Sequence, residues 1–431
     1  MNSPVKRIAF HTMGCKLNFS ETAEISRKFD HNGFNKVDYQ KEADIYVLNT
    51  CSITENANKE ARKLIRQFKR RNPASVIVVI GCYAQLNPDE IATIDGVNLI
   101  LGTEEKFNIF EQLSQLDADC GTKIIQSELD NNHTFTKSYS IGERTRSFLK
   151  IQDGCDYSCS FCTIPLARGQ SRSDSIENTI KAAREIAKTG TREIVLTGVN
   201  IGDFGKGDTA TFFDLIQKLD HLNEIDRIRI SSIEPNLLTD EIIEFCLSSN
   251  KIMPHFHMPL QSGSDKILMA MRRRYKRDLY SDRVSRIKSL NPDACIGTDV
   301  IVGFPGENSE DFLDTYNFLN DLEISYLHVF TYSERPNTDA IDFGKAVSNK
   351  IRLERSKMLH ILSDKKQHHF YSRFIGENRP VLFEHINNGK LVGHADNYIQ
   401  VRIDSNPDLI NTIHKINIVE NKGTFVKGEL L

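Results

Sequence analysis

The chain has 431 residues, nine cysteines and a formal net charge of -3. That length supports two or three domains with proper cores, and the near-neutral balance excludes a protein whose whole surface is a positive field for nucleic acid. The N-terminus lacks a signal-peptide layout, the most apolar run (Val76–Ile80) is far too short to span a bilayer, and an odd cysteine count argues against a disulfide framework. The expectation is a soluble, cytoplasmic protein with no membrane partner, whose cysteines bind metal or do redox chemistry.

Residues 1–116 alternate strands (Arg7–His11, Ile45–Asn49, Val76–Ile80, Asn98–Leu101) with helices (Ser20–Asn32, Glu55–Arg71), the pattern of an open, mostly parallel α/β sheet. Residues 117–145 are polar and weakly periodic, and read as a linker with one short strand. Residues 146–375 carry six buried-strand candidates: Phe148–Gln152, Glu193–Thr197, Arg227–Ser231, His255–Met258, Ile296–Val302 and Tyr326–Phe330. Helical patterns separate them, so the region reads as a partial (β/α)6 barrel, with a last helix, Lys350–Arg373, leading out. Residues 376–431 break into five short runs between turns, which predicts a small antiparallel β-barrel. The fold class is therefore α/β, with an open sheet domain, a partial barrel and a small β-barrel in series.

The strongest chemical signal is C-x3-C-x2-C at Cys155, Cys159 and Cys162, directly after the first barrel strand. Three thiolates this close take three corners of a 4Fe–4S cluster and leave one iron open to chelate a small molecule. A zinc site would want a fourth ligand nearby, and His133 is remote in sequence. The position, past the C-terminal end of a barrel strand, is where such barrels do their chemistry. Cys15, Cys51 and Cys82 each lie just past a predicted parallel strand, where ligands collect in an open sheet, and together they have the donors for a second cluster. Cys120 falls in the linker, Cys246 in a helix where it reads as core packing, and Cys295 at a strand start; none has a ligand partner at suitable spacing.

C-x3-C-x2-C with Phe161 before the last cysteine resembles the signature of the radical S-adenosylmethionine (SAM) superfamily. That resemblance implies that the open iron binds SAM and that one electron cleaves it to a 5′-deoxyadenosyl radical. The order of a three-cysteine α/β domain, this barrel and a small β-barrel similar to a TRAM RNA-binding module resembles the methylthiotransferase family. Segments such as Thr12–Asn18, Asn49–Thr54, Arg229–Pro235, His255–Ser264, Met271–Tyr275 and Tyr326–Phe330 resemble the branch acting on N6-threonylcarbamoyladenosine next to the anticodon of transfer RNA. Lys16-Leu17 stands where the isopentenyladenosine branch usually has Gln-Met, and where the branch modifying an aspartate of a ribosomal protein usually has Pro-Lys. Those two substrates remain the alternatives, and a noncatalytic RNA-binding protein with four-ligand structural metal sites is a third.

The resemblance implies two 4Fe–4S clusters, SAM used both as methyl donor and as radical source, the anticodon loop of transfer RNA as partner, an electron donor such as flavodoxin or ferredoxin, and a sulfur source. The segment Ile301–Glu307, with Gly303, resembles the one that packs along SAM in this superfamily, although Glu307 falls one place later than usual; by position past their strands, Thr197 and Gly198 and then Ser232, Glu234 and Gln261 are further candidates to line the SAM site. No acid–base residue beyond the clusters is expected to be catalytic, because the adenine C–H bond gives proton transfer little grip. Basic runs at Lys59–Arg71 and on the last helix (Arg352, Arg355, Lys357) read as solvated faces, while Arg272, Arg273, Arg274, Lys276 and Arg277 read as a functional knot that needs a phosphate or carboxylate partner. Phe383, Tyr398 and Phe425 are candidates to stack on bases or to fill the small barrel.

Overall fold

The computed structural model describes residues 6–52, 54–116, 121–129, 134–142, 145–207 and 210–431; Cys120 and His133 lie outside them. The chain divides into two compact units: Met1–Ser140 with Asp153–Ser158 and Cys162–Arg172, and Ile141–Gln152 with Cys159–Phe161 and Ser173–Leu431.

The first unit contains β1 (Arg7–Thr12), α1 (Lys16–His31), β2 (Asn35–Val37), β3 (Ile45–Thr50), α2 (Glu55–Arg71), β4 (Val76–Gly81), α3 (Cys82–Leu86), α4 (Pro88–Ala92), β5 (Val97–Leu101), α5 (Ile109–Ser114), β6 (Lys123–Ile125) and α6 (Ile164–Arg168). Its six strands form one parallel sheet in the order β2-β1-β3-β4-β5-β6. β3 is buried at every position, as a central parallel strand covered on both faces must be. Leu48 and Val79 pack on one face with Ile65 and Phe68 of α2; Val47 and Val78 pack on the other with Ile25 and Phe29 of α1. Helix α1 starts at Lys16, not at Ser20 as its apolar spacing predicts, because its first two turns bury polar residues, Asn18, Ser20 and Glu21. Hydrophobic periodicity is blind to such a turn. Strand β2 was not foreseen; it is a three-residue, mostly exposed edge.

In the second unit, β7 (Arg146–Lys150) opens the barrel. Two two-residue strands, β8 (Gln152–Asp153) and β9 (Arg172–Ser173), flank the cysteine loop in sequence. There follow α7 (Ile176–Ala187), β10 (Glu193–Thr197), α8 (Phe212–Asp220), β11 (Arg227–Ile230), α9 (Asp240–Ser248), β12 (His255–His257), α10 (Asp265–Ala270), α11 (Arg277–Leu290), β13 (Cys295–Val302), α12 (Ser309–Asp321), β14 (Tyr326–Thr331) and α13 (Asn349–Ser372). The strands form two parallel triplets, β11-β10-β7 and β12-β13-β14. Bridges Ile228↔Ile252 and Ser232↔His257 join them, so the barrel is the expected six-stranded, incomplete one.

The chain ends in β15 (Asn378–Asn387), β16 (Lys390–Ala395), β17 (Gln400–Asp404), β18 (Ile413–Asn421) and β19 (Val426–Leu430), closed in the order β15-β16-β17-β19-β18. Closure leaves no free edge. The small barrel is not wholly antiparallel: β17 and β19 run parallel, since the chain crosses over through β18 to place its last strand. Phe383 is core here, fully buried among Val381, Leu391 and Val401, and is not a stacking platform. Arg227 donates to the carbonyl of Pro380 (2.8 Å) and Arg229 to that of Asp396 (3.2 Å), tying the small barrel to β11. Arg229 also meets buried Glu193 (2.9 Å); burial alone would raise that carboxyl, but Arg229, Arg146 and Arg227 bring it down to about 2. Tyr398 stacks between His255 and His394 with the Arg229 guanidinium 5.0 Å from its ring centre, so this ring too belongs to the joint. Phe425, half-buried, lies under Arg402 at 4.0 Å.

Candidate functional site

Strands β1, β3 and β4 are consecutive neighbours in the first sheet, and Cys15, Cys51 and Cys82 all follow their C-terminal ends. Adjacent strands lie about 4.8 Å apart, so three neighbours bring three thiols together although the sequence separates them widely. Cys15 occupies the N-cap position of α1, where unpaired N–H groups favour a thiolate. Gly14 adopts φ +89°, and a β-carbon there would sit 2.5 Å from Cys51 Cβ and 2.8 Å from its sulfur. The two cysteine loops therefore touch through a residue that only glycine can be. Asn18 bridges them, donating to the carbonyls of Met13 (2.9 Å) and Thr50 (3.0 Å), while the Thr50 hydroxyl donates to Ile80 (2.6 Å) on the strand before Cys82.

Beneath these loops lies a buried charge cluster that sequence reading missed. Arg168, 1% exposed, donates to Asn18 (2.7 Å), Glu21 (3.0 and 3.2 Å) and Asp153 (2.9 Å). Lys106, fully buried, meets Glu21 at 2.7 Å. Burial pushes the Cys15 thiol up and the Arg168 charge opposes that shift, so the guanidinium faces the cysteine set. Arg168 ends α6 and belongs to no motif or basic run; only its polar partners from α1 and β8 mark it.

The C-x3-C-x2-C loop is held at each cysteine separately. The backbone N–H of Cys155 donates to Gly169 (3.0 Å), and the sulfurs of Cys155 and Cys162 accept from the N–H groups of Tyr157 (3.4 Å) and Ile164 (3.5 Å). Eight consecutive residues keep the three thiols within reach by chain length alone, at ~3.3–3.6 Å per residue. Cys159 lies against Arg273, whose guanidinium sits 3.0 Å from its sulfur and is paired with Glu234. Burial raises the Cys159 thiol, and Arg273 opposes it. The basic knot is thus split, and two of its cations meet carboxylates: Arg273 turns inward to Glu234 and Cys159, whereas Arg272 pairs with Asp339 at the surface. All six cysteines of the two candidate sets are free thiols, and a set of three has the donors for a cubane with an open iron but is one short of a closed four-ligand zinc site.

The remaining candidates sit at the C-terminal ends of the barrel strands. Thr197 ends β10, and the Gln152 side chain accepts from the N–H groups of Val199 (2.9 Å) and Asn200 (2.8 Å), which fixes the turn containing Gly198. Ser232 bridges to His257, and Glu234 is the partner of Arg273. Gln261 holds φ +70° while pairing with Val300. A non-glycine residue in that region is a strained choice of the kind found at ligand clamps. Gly303 has φ +77° and its N–H donates to Glu307 (3.1 Å), whose carboxylate is bound by Arg355. Glu307 therefore closes its own turn, and Arg355, with Arg352, is buried support and not a solvated basic face. Cys246 and Cys295 are buried packing, the Cys295 thiol pushed up to about 12 by burial. No helix among the described residues is long and apolar enough to cross a membrane.

Comparison with known proteins agrees with this geometry. Residues 7–102 match the model described as uncharacterized protein family UPF0004, and residues 149–319 match the radical SAM superfamily. The chain is 38% identical, over 97% of its length and 96% of the relative's, to threonylcarbamoyladenosine tRNA methylthiotransferase MtaB of Bacillus subtilis. It is 37% identical to the protein of that name from Aquifex aeolicus, over 92% and 96% of the two chains. It is 32% identical to the tRNA-2-methylthio-N(6)-dimethylallyladenosine synthase of Endomicrobium trichonymphae, over 97% and 99%. Among solved structures, the radical SAM methyltransferase TsrM of Kitasatospora setae shares the fold, with a TM-score of 0.55 at 12% identity over 78% of this chain and 74% of that one. The barrel is accordingly a radical SAM core using SAM and an iron–sulfur cluster, and the chain belongs to the methylthiotransferase family of radical SAM enzymes, on its threonylcarbamoyladenosine branch.

Proposed function

We propose that this enzyme places a methylthio group on carbon 2 of N6-threonylcarbamoyladenosine beside the anticodon of transfer RNA. It uses SAM, a 4Fe–4S cluster on Cys155, Cys159 and Cys162, and a second on Cys15, Cys51 and Cys82. The observation that carries the reading is the placement of the second set past three adjacent parallel strands, in a chain that also has the C-x3-C-x2-C loop. When bound, SAM and the clusters supply the radical that opens an unactivated C–H bond and the sulfur that replaces the hydrogen. The protein's part is to position and to exclude water. Arg273 fixes Cys159 and Glu234 relative to each other, and Arg168 with Asn18 fixes the loops of Cys15 and Cys51. Thr197, Gly198, Ser232, Glu234, Gln261 and Gly303 line the place for SAM. Electrons come from a flavodoxin- or ferredoxin-type donor, sulfur is replenished by a separate source, and the work is done in the cytoplasm on transfer RNA gripped partly by the small barrel.

The test is anaerobic incubation of the reconstituted protein with reductant, SAM and transfer RNA bearing threonylcarbamoyladenosine, followed by mass spectrometry of the nucleosides. A gain of one methylthio group on that nucleoside is the expected result. Release of 5′-deoxyadenosine with the nucleoside unchanged would overturn the substrate, and isopentenyladenosine transfer RNA, which the name of the Endomicrobium relative recommends, would be tried next. Cys159→Ala should abolish SAM cleavage, whereas Cys51→Ala should keep it and lose sulfur transfer.

A further inference from the structure

One polar constellation in the barrel has no part in the reading so far. Strands β12, β13 and β14 are parallel neighbours, with Asp299 in register with His328. The Oδ1 atom of Asp299 meets His257 Nε2 at 3.0 Å and His328 Nδ1 at 3.2 Å, so two imidazoles converge on one carboxylate oxygen. Their rings are 5.1 Å apart. Exposure rises across the group: the side chains of His257, Asp299 and His328 are 10%, 23% and 55% accessible. Leu327, next to His328, is buried, and its backbone is bonded to Ser363 of α13. Side chains alternate along a strand, so His328 and Phe330, also exposed, face the other way, into the barrel. Glu234, the partner of Arg273, is an electrostatic neighbour of Asp299, which puts the constellation on the same interior as Cys159.

The hydrogen-bonding logic is directional. Burial would raise the Asp299 carboxyl, but His257 and His328 hold it well below the usual carboxylate range, so it only accepts. Each ring nitrogen that faces it therefore carries a proton. His257 turns its other nitrogen to the Tyr326 hydroxyl (3.4 Å). His328 Nε2 has no hydrogen-bond partner among the described residues and faces the open interior. An anion can be bonded at Nε2 only through an N–H, so it would meet the ring with both nitrogens carrying protons and complete a charge-assisted chain, anion–His328–Asp299–His257.

We propose that His328, oriented by Asp299 and His257, is the subsite for the carboxylate on the N6 substituent of the substrate base, and that it sets the preference for an acidic substituent over an apolar one. The inference rests on the substrate assigned above: a threonylcarbamoyl group ends in a free carboxylate, whereas an isopentenyl group has no polar atom. A site built to bond a polar group discriminates strongly against an analogue lacking it, because its own donor is left unpaired. Phe330, two residues along the same face, offers an apolar surface beside it.

The experiment compares two transfer RNAs, one with native threonylcarbamoyladenosine and one with its carboxylate converted to the methylamide, using wild type, His328→Ala and His328→Lys. Wild-type activity on the native substrate first decides the substrate itself. Given that activity, wild type should favour the carboxylate over the amide by about 10- to 100-fold in kcat/KM, the worth of one hydrogen bond to a charged group. His328→Ala should treat the two alike, losing mainly through KM, and His328→Lys should restore part of the preference. An active wild type with equal preference in wild type and His328→Ala overturns the inference and leaves the substrate standing. The three donor atoms lie within 4.8 Å of one another, a spacing that also admits a divalent cation. Mn2+ added alone to the holoenzyme is therefore the last arm, and tight binding lost in His328→Ala, with no carboxylate preference, likewise overturns the inference.

Discussion

Arg168→Met tests whether the buried charge cluster holds the first unit together. Arg168 is 1% exposed and makes four hydrogen bonds to Asn18, Glu21 and Asp153. Breaking a buried ion network on one side costs about 3–5 kcal/mol, since a buried charge is left without its partner. The low end, ~3 kcal/mol, applies here. Lys106 still holds Glu21 at 2.7 Å, and Arg172 still faces Asp153 at 3.6 Å. The carboxylate most exposed to the loss is Asp153, so Arg168→Met combined with Asp153→Asn should recover part of the stability. Arg168→Lys should fall between, keeping the charge but not the planar fork that reaches three partners. The assay is anaerobic urea unfolding by circular dichroism with iron release read in parallel, because a chain of two units need not unfold in one step. A loss under about 1 kcal/mol for Arg168→Met, or no recovery in the double variant, would refute the reasoning.

Three further outcomes are expected. Gly14→Ala places a methyl 2.5 Å from Cys51 Cβ at φ +89°. It should add about 1–2 kcal/mol of backbone strain and lower bound iron by roughly four atoms per chain, with 5′-deoxyadenosine formation retained; full iron would argue against the second cluster. Arg273→Gln frees Glu234 and withdraws the cation 3.0 Å from Cys159, so SAM cleavage should fall about tenfold or more while iron bound through Cys15, Cys51 and Cys82 stays; unchanged cleavage kinetics would remove Arg273 from the site. Glu193 is held down at about 2 in the fold against an ordinary carboxyl value of 4.5, so its contribution is complete above about 4.5 and is lost as pH falls toward 2. The two values differ by enough to make that contribution on the order of 3 kcal/mol. Acid unfolding of wild type should steepen in this window, and Glu193→Gln should flatten it; parallel curves would show that the joint between β11 and the small barrel does not titrate.

What could be read from the sequence divides along a physical line. Strands β3 and β4 announce themselves because a parallel strand covered on both faces is a continuous apolar run, and the cysteines that follow such runs inherit a predictable place at the sheet's C-terminal edge. Knowing only that Cys15, Cys51 and Cys82 each follow a strand was enough to expect them together; that β1, β3 and β4 are immediate neighbours came from the structure. The charged residues followed the opposite rule. Arg352 and Arg355 lie in a run that reads as a solvated face, Arg273 in a knot that reads as a ligand contact and Arg168 in no basic run at all, yet all four side chains are buried. A lone arginine in sequence has no periodicity, and its depth depends on carboxylates that arrive from elsewhere: Glu21 for Arg168, Glu234 for Arg273, Glu307 for Arg355.

That asymmetry bears on the chemistry. A cluster ligand must be a cysteine in a reachable place, which sequence can encode locally; a cation beside a thiolate needs a distant partner to keep it buried and aimed. Arg273 meets Cys159 at 3.0 Å because Glu234, past the end of β11, holds its other side, and Arg168 reaches Asn18 because Asp153 and Glu21 hold it. Each cysteine set therefore has one guanidinium fixed by carboxylates from other elements. If these cations position the thiolates, changing the carboxylate should damage the nearby cysteine set nearly as much as changing the arginine. Glu234→Gln should accordingly lower SAM cleavage in step with Arg273→Gln, and the double variant should be little worse than either single one; additive losses would mean that Glu234 and Arg273 act on the site independently.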